Sequence, residues 1–243
     1  MKEKLQIALL GYGRMGKIIE SVCLERGHEI ACIIDSESEW TEKEKELKSC
    51  EVAIDFSLPE AAFSNMKRCF ELNIPVVVGT TGWYNQKNEV TALCKQNDVA
   101  LFHAPNFSLG MNIVFRLNRQ LGRMLNGTSY KISLNEIHHI HKLDAPSGTA
   151  IQLANDLIDS VDSLKRWEID NKTVENTLPI FVNRVGEANG IHEVVADSAE
   201  DTISLKHEAK SRRGFGLGAV LAAEFLSGRK GIYSMDDLLD QQF

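Results

Sequence analysis

The chain has 243 residues, a formal net charge of −7, a hydrophobic content of 43% and a charged content of 25%. These values are typical of a globular protein and leave room for one large or two modest domains. The acidic balance disfavours nucleic acids and membrane surfaces as partners, since both favour a basic face, and no apolar run reaches transmembrane length.

Cysteine usage predicts a cytoplasmic protein. The five cysteines lie inside apolar runs without a CxxC pair, at Cys23, Cys32, Cys50, Cys69 and Cys94. An odd number in this pattern indicates reduced, buried thiols rather than a disulfide framework. The amino-terminal sequence enters a strand-like run by Leu5 and lacks the pattern of a signal peptide, which favours the same location.

The first hundred residues alternate short apolar runs with longer segments of helical spacing. Strands are predicted over 5–13, 29–35, 49–57, 74–82 and 99–108, and helices over 15–26, from Pro59 onward and over 85–97. This alternation is typical of βαβ units, in which a parallel sheet carries helices on both faces. The first part of the chain is therefore predicted to be an α/β domain.

From about Gly110 the pattern changes. A helix is predicted over 111–125, a strand over 131–140, a helix after Pro146, and turn-rich sequence over 159–176. Three further strands, over 179–185, 190–197 and 201–209, follow at hairpin-like intervals, and a helix over 216–228 precedes a short amphipathic tail. Successive strands favour a mixed or antiparallel sheet and hence a second domain.

The turn after the first strand has the GxGxxG pattern of a dinucleotide site, from Gly11 to Gly16. Gly11 permits a tight turn, Gly13 lets the backbone approach a pyrophosphate, and Gly16 allows close helix–strand packing. Asp35 ends the second strand, where a carboxylate can bond the adenine ribose. Because Ser36 and not arginine follows Asp35, NADH is expected in preference to NADPH, although Arg14 in the turn offers a positive charge for NADPH.

Two more turns follow predicted strands, GTTG at 79–82 and APNFS at 104–108. Ligands bind beyond the carboxyl ends of strands in open α/β sheets. Ordinary turn chemistry explains both segments equally well, so the residues alone leave their role open.

The segment EIHHIHKLDAPSGTA, at 136–150, concentrates groups that carry protons. His138, His139, His141 and Lys142 precede a predicted helix start, where the N–H groups of Gly148 and Thr149 favour an anion. The segment therefore predicts a site for proton transfer on a small anionic molecule.

Strand alternation limits this interpretation. In an extended chain His139 and His141 share one face and His138 points to the other, so the strand must end near His138 or the ligand must lie at the strand's edge. A metal site at HHIH is disfavoured because carboxylate or cysteine ligands at suitable spacing are missing. Covalent aldehyde chemistry lacks a cysteine beyond Cys94, and an NADH-sensing regulator lacks an effector module.

With these segments assembled, the chain closely resembles the dihydrodipicolinate reductase (4-hydroxy-tetrahydrodipicolinate reductase) family of lysine and diaminopimelate biosynthesis. The resemblance covers nearly the whole chain in order: GRMG, DFSLPEA, VGTTGW, NFSLGMN, EIHHIHKLDAPSGTA and HEAKSRRGFGLGAV. The fifteen-residue block at 136–150 is its most specific signature.

The resemblance implies roles for individual residues. His138 is implied as the proton donor or acceptor and Lys142 as a second proton donor, while His139, Gly148 and Thr149 are implied to bind substrate. No metal is implied. The cofactor residues implied are Gly11, Tyr12, Gly13, Arg14, Met15, Asp35, Gly79, Thr80, Thr81, Ala104, Pro105, Asn106 and Phe107.

The resemblance also implies a homotetramer that uses NADH or NADPH to reduce a cyclic imine with two carboxylates, releasing water. The implied fold is a Rossmann-like parallel-sheet nucleotide domain, 1–106 and 213–243, with an inserted α+β mixed-sheet domain, 107–212, for substrate binding and oligomerisation. Two departures stand out: the turn GYGRMG is one residue shorter than the GxxGRMG form of many members, and the segment 159–185 is compact. The roles of His141 and Arg212 stay open.

Overall fold

The computed structural model describes residues 4–169 and 174–242. The chain divides into two compact units, one formed by Met1–Leu109 with Arg212–Phe243 and the other by Gly110–Ser211. Within the described ranges, no helix combines the length and apolar content that crossing a bilayer requires. Each of the five cysteines is buried with a free thiol, as their sequence context predicts.

The first unit is built on a six-stranded sheet in the order β11-β5-β4-β3-β1-β2, with every pair parallel. Its strands are β1 (Gln6–Leu10), β2 (Glu29–Ile34), β3 (Val52–Asp55), β4 (Val76–Val78), β5 (Ala100–His103) and β11 (Gly231–Tyr233). The predicted parallel sheet is confirmed, with shorter strands than predicted because buried loops continue the apolar runs. The three-residue β11 lies in a stretch for which the sequence predicted no strand.

Helices cover the sheet of the first unit. They are α1 (Arg14–Glu25), α2 (Glu39–Glu42), α3 (Glu44–Lys48), α4 (Pro59–Glu71), α5 (Lys87–Gln96) after a 3-10 turn at Tyr84–Gln86, α8 (Arg213–Leu226) and α9 (Met235–Gln242). Alternate residues of β1 enter two different cores, Ile7 and Leu9 into one and Ala8 and Leu10 into the other. Successive side chains of a strand point to opposite faces, so this sheet is buried on both sides.

The second unit carries a five-stranded mixed sheet in the order β10-β9-β6-β8-β7. Its elements are α6 (Leu109–Leu125), β6 (Lys131–His138), α7 (Gly148–Ile158), β7 (Arg166–Ile169), β8 (Thr177–Arg184), β9 (Ile191–Asp197) and β10 (Thr202–Glu208). β9 is antiparallel to β6 and β10, whereas β8 is parallel to β6 and β7. The predicted mixed sheet is confirmed.

Two details of the predicted second sheet were wrong. β8 and β9 do not form a hairpin, because β6 lies between them. The segment 159–176, predicted to be turns, contains the edge strand β7. The first error concerns a pairing between residues far apart in sequence, Leu134 with Ile180 among others, which local patterns do not encode.

The central strand β6 links the core of the second unit to a polar cluster. Its buried face begins with Ile132 and Leu134, which pack with residues of α6 and α7. The same face continues with Glu136 and His138, both buried. A strand whose buried face turns from apolar to ionisable brings those groups to the margin of the core, where they need polar partners.

Candidate active site

The glycine turn of the first unit has the close packing that its sequence predicts. Gly11 has φ +87°, and a Cβ there would lie 2.6 Å from the Phe56 carbonyl oxygen. A Cβ on Gly16 would lie 2.4 Å from the Gly11 oxygen, whereas one on Gly13 would meet nothing within 4 Å. The turn is therefore tight at Gly11 and Gly16 and has open space beside Gly13.

Asp35 lies directly after β2 and faces the glycine turn. Its Oδ1 accepts a hydrogen bond of 2.8 Å from the backbone N–H of Tyr12. Glu39 accepts hydrogen bonds from the backbone N–H groups of Asp35 and Ser36, at 2.7 and 2.9 Å. A hydrogen bond from Lys43, followed by these backbone bonds, lowers the pKa of Glu39 to about 2. The acidic end of β2 is therefore held in a fixed conformation.

A cleft of about 560 Å³ joins these features. It lies between β2 and β3, at the carboxyl ends of the strands that flank β1, where the strand order reverses. Its lining includes Gly11, Tyr12, Gly13, Asp35, Ser36, Trp40, Phe56 and Ser57.

A second cleft, of about 340 Å³, brings Arg14 and Met15 together with Gly79, Thr80 and Thr81. Thr80 donates a 2.6 Å hydrogen bond to the buried Asp55 at the end of β3. Burial raises the pKa of Asp55, and hydrogen bonds from Thr80 and Ser57 offset part of this rise. Sequence reasoning did not single out Asp55, although it ends a predicted strand within the DFS motif.

The segment after β5 is held by packing. Phe107 is buried, with its ring 5.5 Å from that of Phe56 and 5.8 Å from that of Phe102. Ala104 is buried, Pro105 is exposed, and the Asn106 side chain accepts a 2.8 Å hydrogen bond from the Ser108 N–H. All thirteen predicted cofactor residues belong to the first unit.

In the second unit, β6 ends at His138, as one of the two sequence alternatives required. His138 is buried, His139 is half-buried and His141 is exposed. The rings of His139 and His141 lie 6.1 Å apart, and His141 Nε2 is 3.7 Å from a carboxylate oxygen of the exposed Glu187. The three histidines therefore have three different environments.

His138 faces a carboxylate and a second imidazole. Its Nδ1 lies 3.8 Å from Glu136 Oε2, and its ring centroid lies 5.0 Å from that of His192. Burial lowers the pKa of His138, an effect that the Glu136 charge opposes and the Lys142 charge reinforces. In the free protein at neutral pH, His138 is therefore mainly a neutral imidazole.

Lys142 lies in the loop that follows the histidines and is paired with Asp144. Its Nζ lies 2.8 Å from each oxygen of that carboxylate, and the hydrogen bond holds the pKa of Asp144 below its usual value. Arg184, at the end of β8, donates to the backbone oxygens of Lys142 and Asp144, at 3.3 and 2.6 Å. These hydrogen bonds fix the loop beside His138.

Helix α7 begins at Gly148, after Pro146 as predicted, and Ser147 is its N-cap. The Ser147 hydroxyl accepts a 3.2 Å hydrogen bond from the Ala150 N–H. Gly148 is exposed, with nothing within 4 Å of where a Cβ would stand, and Thr149 is half-buried. The second unit thus brings His138, His139, Lys142, Gly148 and Thr149 into one short segment around the end of β6.

Two models of known protein families match this chain. The family model described as "Dihydrodipicolinate reductase, N-terminus" matches residues 5–107, and the one described as "Dihydrodipicolinate reductase, C-terminus" matches residues 110–239. The chain belongs to the dihydrodipicolinate reductase family. The family, the fold class and the oxidoreductase activity expected from the sequence are thereby confirmed.

Curated relatives agree with this assignment. The 4-hydroxy-tetrahydrodipicolinate reductase of Christiangramia forsetii is 45% identical over 98% of this chain and 99% of its own. That of Clostridium novyi is 34% identical over 93% of this chain and 94% of its own.

Solved structures of low sequence identity share the fold. A dipicolinate-bound dihydrodipicolinate reductase from Paenisporosarcina sp. TG-14 has a TM-score of 0.78 at 19% identity, covering 96% of this chain and 98% of its own. An amine dehydrogenase from Mycobacterium smegmatis has a TM-score of 0.63 at 12% identity, covering 96% of each chain. The reductase family of the chain, together with its Rossmann-like dehydrogenase fold, implies a nicotinamide cofactor.

Glu136, His138 and His192 of this reductase would suit a metal ion by distance, since one ligand atom from each lies within 4.8 Å of the others. However, Glu136 Oε2 accepts hydrogen bonds from Ser147, and Oε1 accepts two from Arg184. A guanidinium at 3.1 Å disfavours a second cation on the same carboxylate. The arrangement is better described as a hydrogen-bond network.

Sequence reasoning missed four members of this network: Glu136, Ser147, Arg184 and His192. Glu136 and Ser147 lie inside the fifteen-residue block, and strand alternation gives Glu136 the same face as His138. Arg184 and His192 gave no local signal, because only the pairing of β8 and β9 with β6 brings them to this place.

Proposed function

We propose that the chain reduces 4-hydroxy-tetrahydrodipicolinate to tetrahydrodipicolinate with a nicotinamide cofactor, releasing water, in lysine and diaminopimelate biosynthesis. The family assignment supports the reaction. The observation that carries the assignment of roles is that Glu136, whose Oε2 lies 3.8 Å from His138 Nδ1, also accepts a hydrogen bond from the N–H of Ser147, the N-cap of α7, while the Lys142 charge acts on His138. An imidazole, an ammonium and a helix N-terminus match a dicarboxylate ring that must gain protons.

The substrate residues of this proposal are His139, Gly148 and Thr149. The N–H groups in the first turn of a helix favour an anion, and the helix dipole adds to this preference. On either side of these two residues, the N–H of Ser147 donates to the Glu136 carboxylate and the N–H of Ala150 donates to the Ser147 hydroxyl. Gly148 is exposed and offers no side chain, so a carboxylate can approach its backbone. A solved relative described as bound to dipicolinate, also a ring with two carboxylates, supports this chemistry.

Proton transfer is assigned to His138 and Lys142. Lys142, oriented by Asp144, can give a proton to the departing hydroxyl and recover one from the adjacent ring carbon, so that the ring loses water and gains a C=C bond. Burial lowers the pKa of His138, so the imidazole is mainly neutral in the free protein. Binding of a dicarboxylate beside the imidazole raises this pKa, because nearby negative charge favours imidazolium. His138 therefore gains a proton as substrate binds and can donate this one net proton to the enamine that hydride addition leaves.

The residues of the first unit fit a dinucleotide. Open space beside Gly13 suits a pyrophosphate, and Asp35 at the end of β2 suits ribose hydroxyls. Arg14, Met15, Gly79, Thr80 and Thr81 line the second cleft, and Ala104 to Phe107 complete the proposed set. A bound nicotinamide supplies the hydride. The residues Asp55, Thr80 and Phe107 hold these loops in position.

The experiment that tests the function follows NADH absorbance with the purified chain and freshly enzyme-made cyclic imine. The expected result is oxidation of one NADH per substrate reduced, with no NADH oxidation when the imine is left out. A chain that binds NADH tightly without turnover would contradict the proposal and favour a regulatory role.

NADH is proposed as the preferred cofactor, with NADPH as the alternative. A 2′-phosphate near Asp35 would meet further carboxylates at Glu37 and Glu39. The cations beside them are already paired, Arg68 with Glu37 and Lys43 with Glu39. This excess of carboxylates at the ribose end of the cleft would repel a 2′-phosphate and supports a preference for NADH.

We therefore expect kcat/KM to be about tenfold or more higher with NADH than with NADPH, equal to about 1.4 kcal/mol of discrimination. Steady-state kinetics with both cofactors measure this ratio. Ser36→Arg should narrow the ratio, because a guanidinium there can pair with a 2′-phosphate. A wild-type preference for NADPH would refute the assignment.

A homotetramer in the cytoplasm completes the proposal. Five free, buried thiols are typical of a reducing compartment and support the location. The tetramer rests on the family resemblance.

A further inference from the structure

The buried carboxylate of Glu136 has no role in the reaction proposed above. It is fully buried, and each of its oxygens accepts hydrogen bonds from a different element. Oε2 accepts from the N–H and the hydroxyl of Ser147, at 3.0 and 2.5 Å. Oε1 accepts from both terminal nitrogens of Arg184, at 3.1 Å each. The Glu136 carboxylate therefore connects the start of α7 to the end of β8.

The bonds to Glu136 fix its ionisation state. Burial alone would raise the pKa of Glu136, but the Ser147 and Arg184 hydrogen bonds and the neighbouring His138 outweigh burial and hold this pKa below its usual value. Glu136 is thus a carboxylate at neutral pH.

The proton positions around Ser147 follow from donor counting. A carboxylate only accepts, so the single Ser147 hydroxyl proton points to Glu136 across 2.5 Å. The hydroxyl oxygen must then accept from His192 Nε2, which lies 3.1 Å away. Burial and the neighbouring His138 lower the pKa of His192 to about 4, in agreement with a neutral ring protonated at Nε2. His192 therefore holds Ser147, and Ser147 holds Oε2 of Glu136.

Oε2 also faces His138. The distance from Oε2 to His138 Nδ1, 3.8 Å, is too long for a hydrogen bond but short for a charge interaction. The other charged or titratable groups that face His138 are Lys142 and Asp144 in the following loop, Arg184 on β8 and His192 on β9. Of the two acids, Glu136 is the buried one, so solvent screens its charge least.

We propose that Glu136 is a positioning residue of the reaction: its buried carboxylate, fixed by Ser147 and Arg184, stabilises the proton that His138 carries during turnover. The inference rests on the assignment of His138 as proton donor in the proposed function. Without the Glu136 charge, the imidazolium would face the Arg184 guanidinium and the Lys142 ammonium, and the proton would be lost at lower pH.

Two variants separate charge from shape. Glu136→Gln keeps the size of the side chain and removes its charge, whereas Glu136→Asp keeps the charge and shortens the side chain. In Glu136→Gln, the pKa of His138, measured by NMR titration of a ring carbon, should be lower than in wild type by about one unit or more. At pH 7.5, above the His138 pKa of the free protein, a one-unit fall of this pKa lowers the imidazolium fraction tenfold, so kcat/KM at this pH should fall about tenfold.

The pH profile distinguishes this role from a structural one. Activity of Glu136→Gln should return towards wild type as pH falls below the shifted pKa, and Glu136→Asp should titrate near the wild-type value. Glu224→Gln is the matched control, since Glu224 is a partly buried carboxylate bonded to Arg26 and His28 in the other unit. This control should leave the His138 titration unchanged.

An unchanged His138 titration in Glu136→Gln, or an equal loss of rate at all pH values, would overturn the inference. A stronger effect of Glu136→Asp than of Glu136→Gln on the His138 titration would do the same. His138→Gln, assayed in parallel, tests the proposed function separately: full turnover in that variant would refute the role of His138 itself, whatever Glu136 does.

Discussion

Replacing His138 by Gln is expected to lower kcat by about 10²–10⁴-fold, the usual contribution of a general acid or base. Gln fills a similar volume and forms hydrogen bonds but has no titratable proton. The NADH affinity should stay within about twofold of wild type, because a variant defective only in proton transfer keeps its cofactor binding. Single-turnover rates of NADH oxidation measure the first effect, and fluorescence titration with NADH measures the second.

The pH dependence of kcat/KM and kcat tests the assignment of His138 as proton donor independently. The pKa of His138 is lowered in the free protein, and the donor form is the imidazolium. For wild type, kcat/KM should therefore fall as pH rises through a value below about 6.5, the reference pKa of histidine. The profile of kcat, which reports the bound complex, should fall at higher pH because the substrate carboxylates raise the pKa. Both of these decreases with rising pH should be absent in His138→Gln.

His141→Gln is the matched control for this variant. His141 lies three residues further along the same segment and is exposed, with a long contact to Glu187. Its replacement should change kcat by less than about twofold, as for most surface substitutions. Equal loss in both histidine variants, or loss of NADH binding in His138→Gln, would mean that the proton site has been misplaced.

The local features of the site could be predicted from the sequence. Gly11 was predicted to permit a tight turn and Gly16 to allow close helix–strand packing, and neither position has room for a side chain. The start of α7 followed from the apolar residues at helical spacing that come after Pro146. Each of these inferences depends on interactions within a few residues of the chain.

The network around His138 could not be predicted in the same way. Arg184 follows Glu136 by 48 residues, and His192 follows Ser147 by 45. Their contacts depend on β6 lying between β8 and β9, whereas the local sequence favoured a hairpin formed by β8 and β9. Hydrophobic alternation gives the face of each strand but not the order of strands, so buried polar partners from other strands stay hidden.

Strand lengths were overestimated for a related reason. The apolar runs of the first unit continue past the strand ends to residues that are also buried, such as Ala104 and Phe107. Burial and not strand pairing makes these residues apolar. The family resemblance supplied the roles of the segment 104–107, which its composition did not.

The backbone of Phe107, in the segment 104–107, is the target of the second large effect. A Cβ on Gly218, in the middle of α8, would lie 1.6 Å from the Phe107 carbonyl oxygen and 2.8 Å from its carbonyl carbon. Both atoms are backbone, so Gly218→Ala requires α8 or the segment 104–107 to move. The expected cost is about 3 kcal/mol, near the upper end for overpacking. The melting temperature should fall by about 10 °C.

Gly214→Ala in the same helix is the control. A Cβ there would meet only the Ser108 hydroxyl at 4.0 Å, an ordinary contact. Since alanine favours helix over glycine by about 0.5–1 kcal/mol, this variant should be neutral or slightly more stable. Thermal denaturation followed by circular dichroism compares the two variants. Because Phe107 belongs to the proposed cofactor set, Gly218→Ala should also weaken NADH binding, whereas Gly214→Ala should not. Equal stability of the two variants would show that α8 does not pack on the Phe107 backbone, and the account of how that segment is held would fail with it.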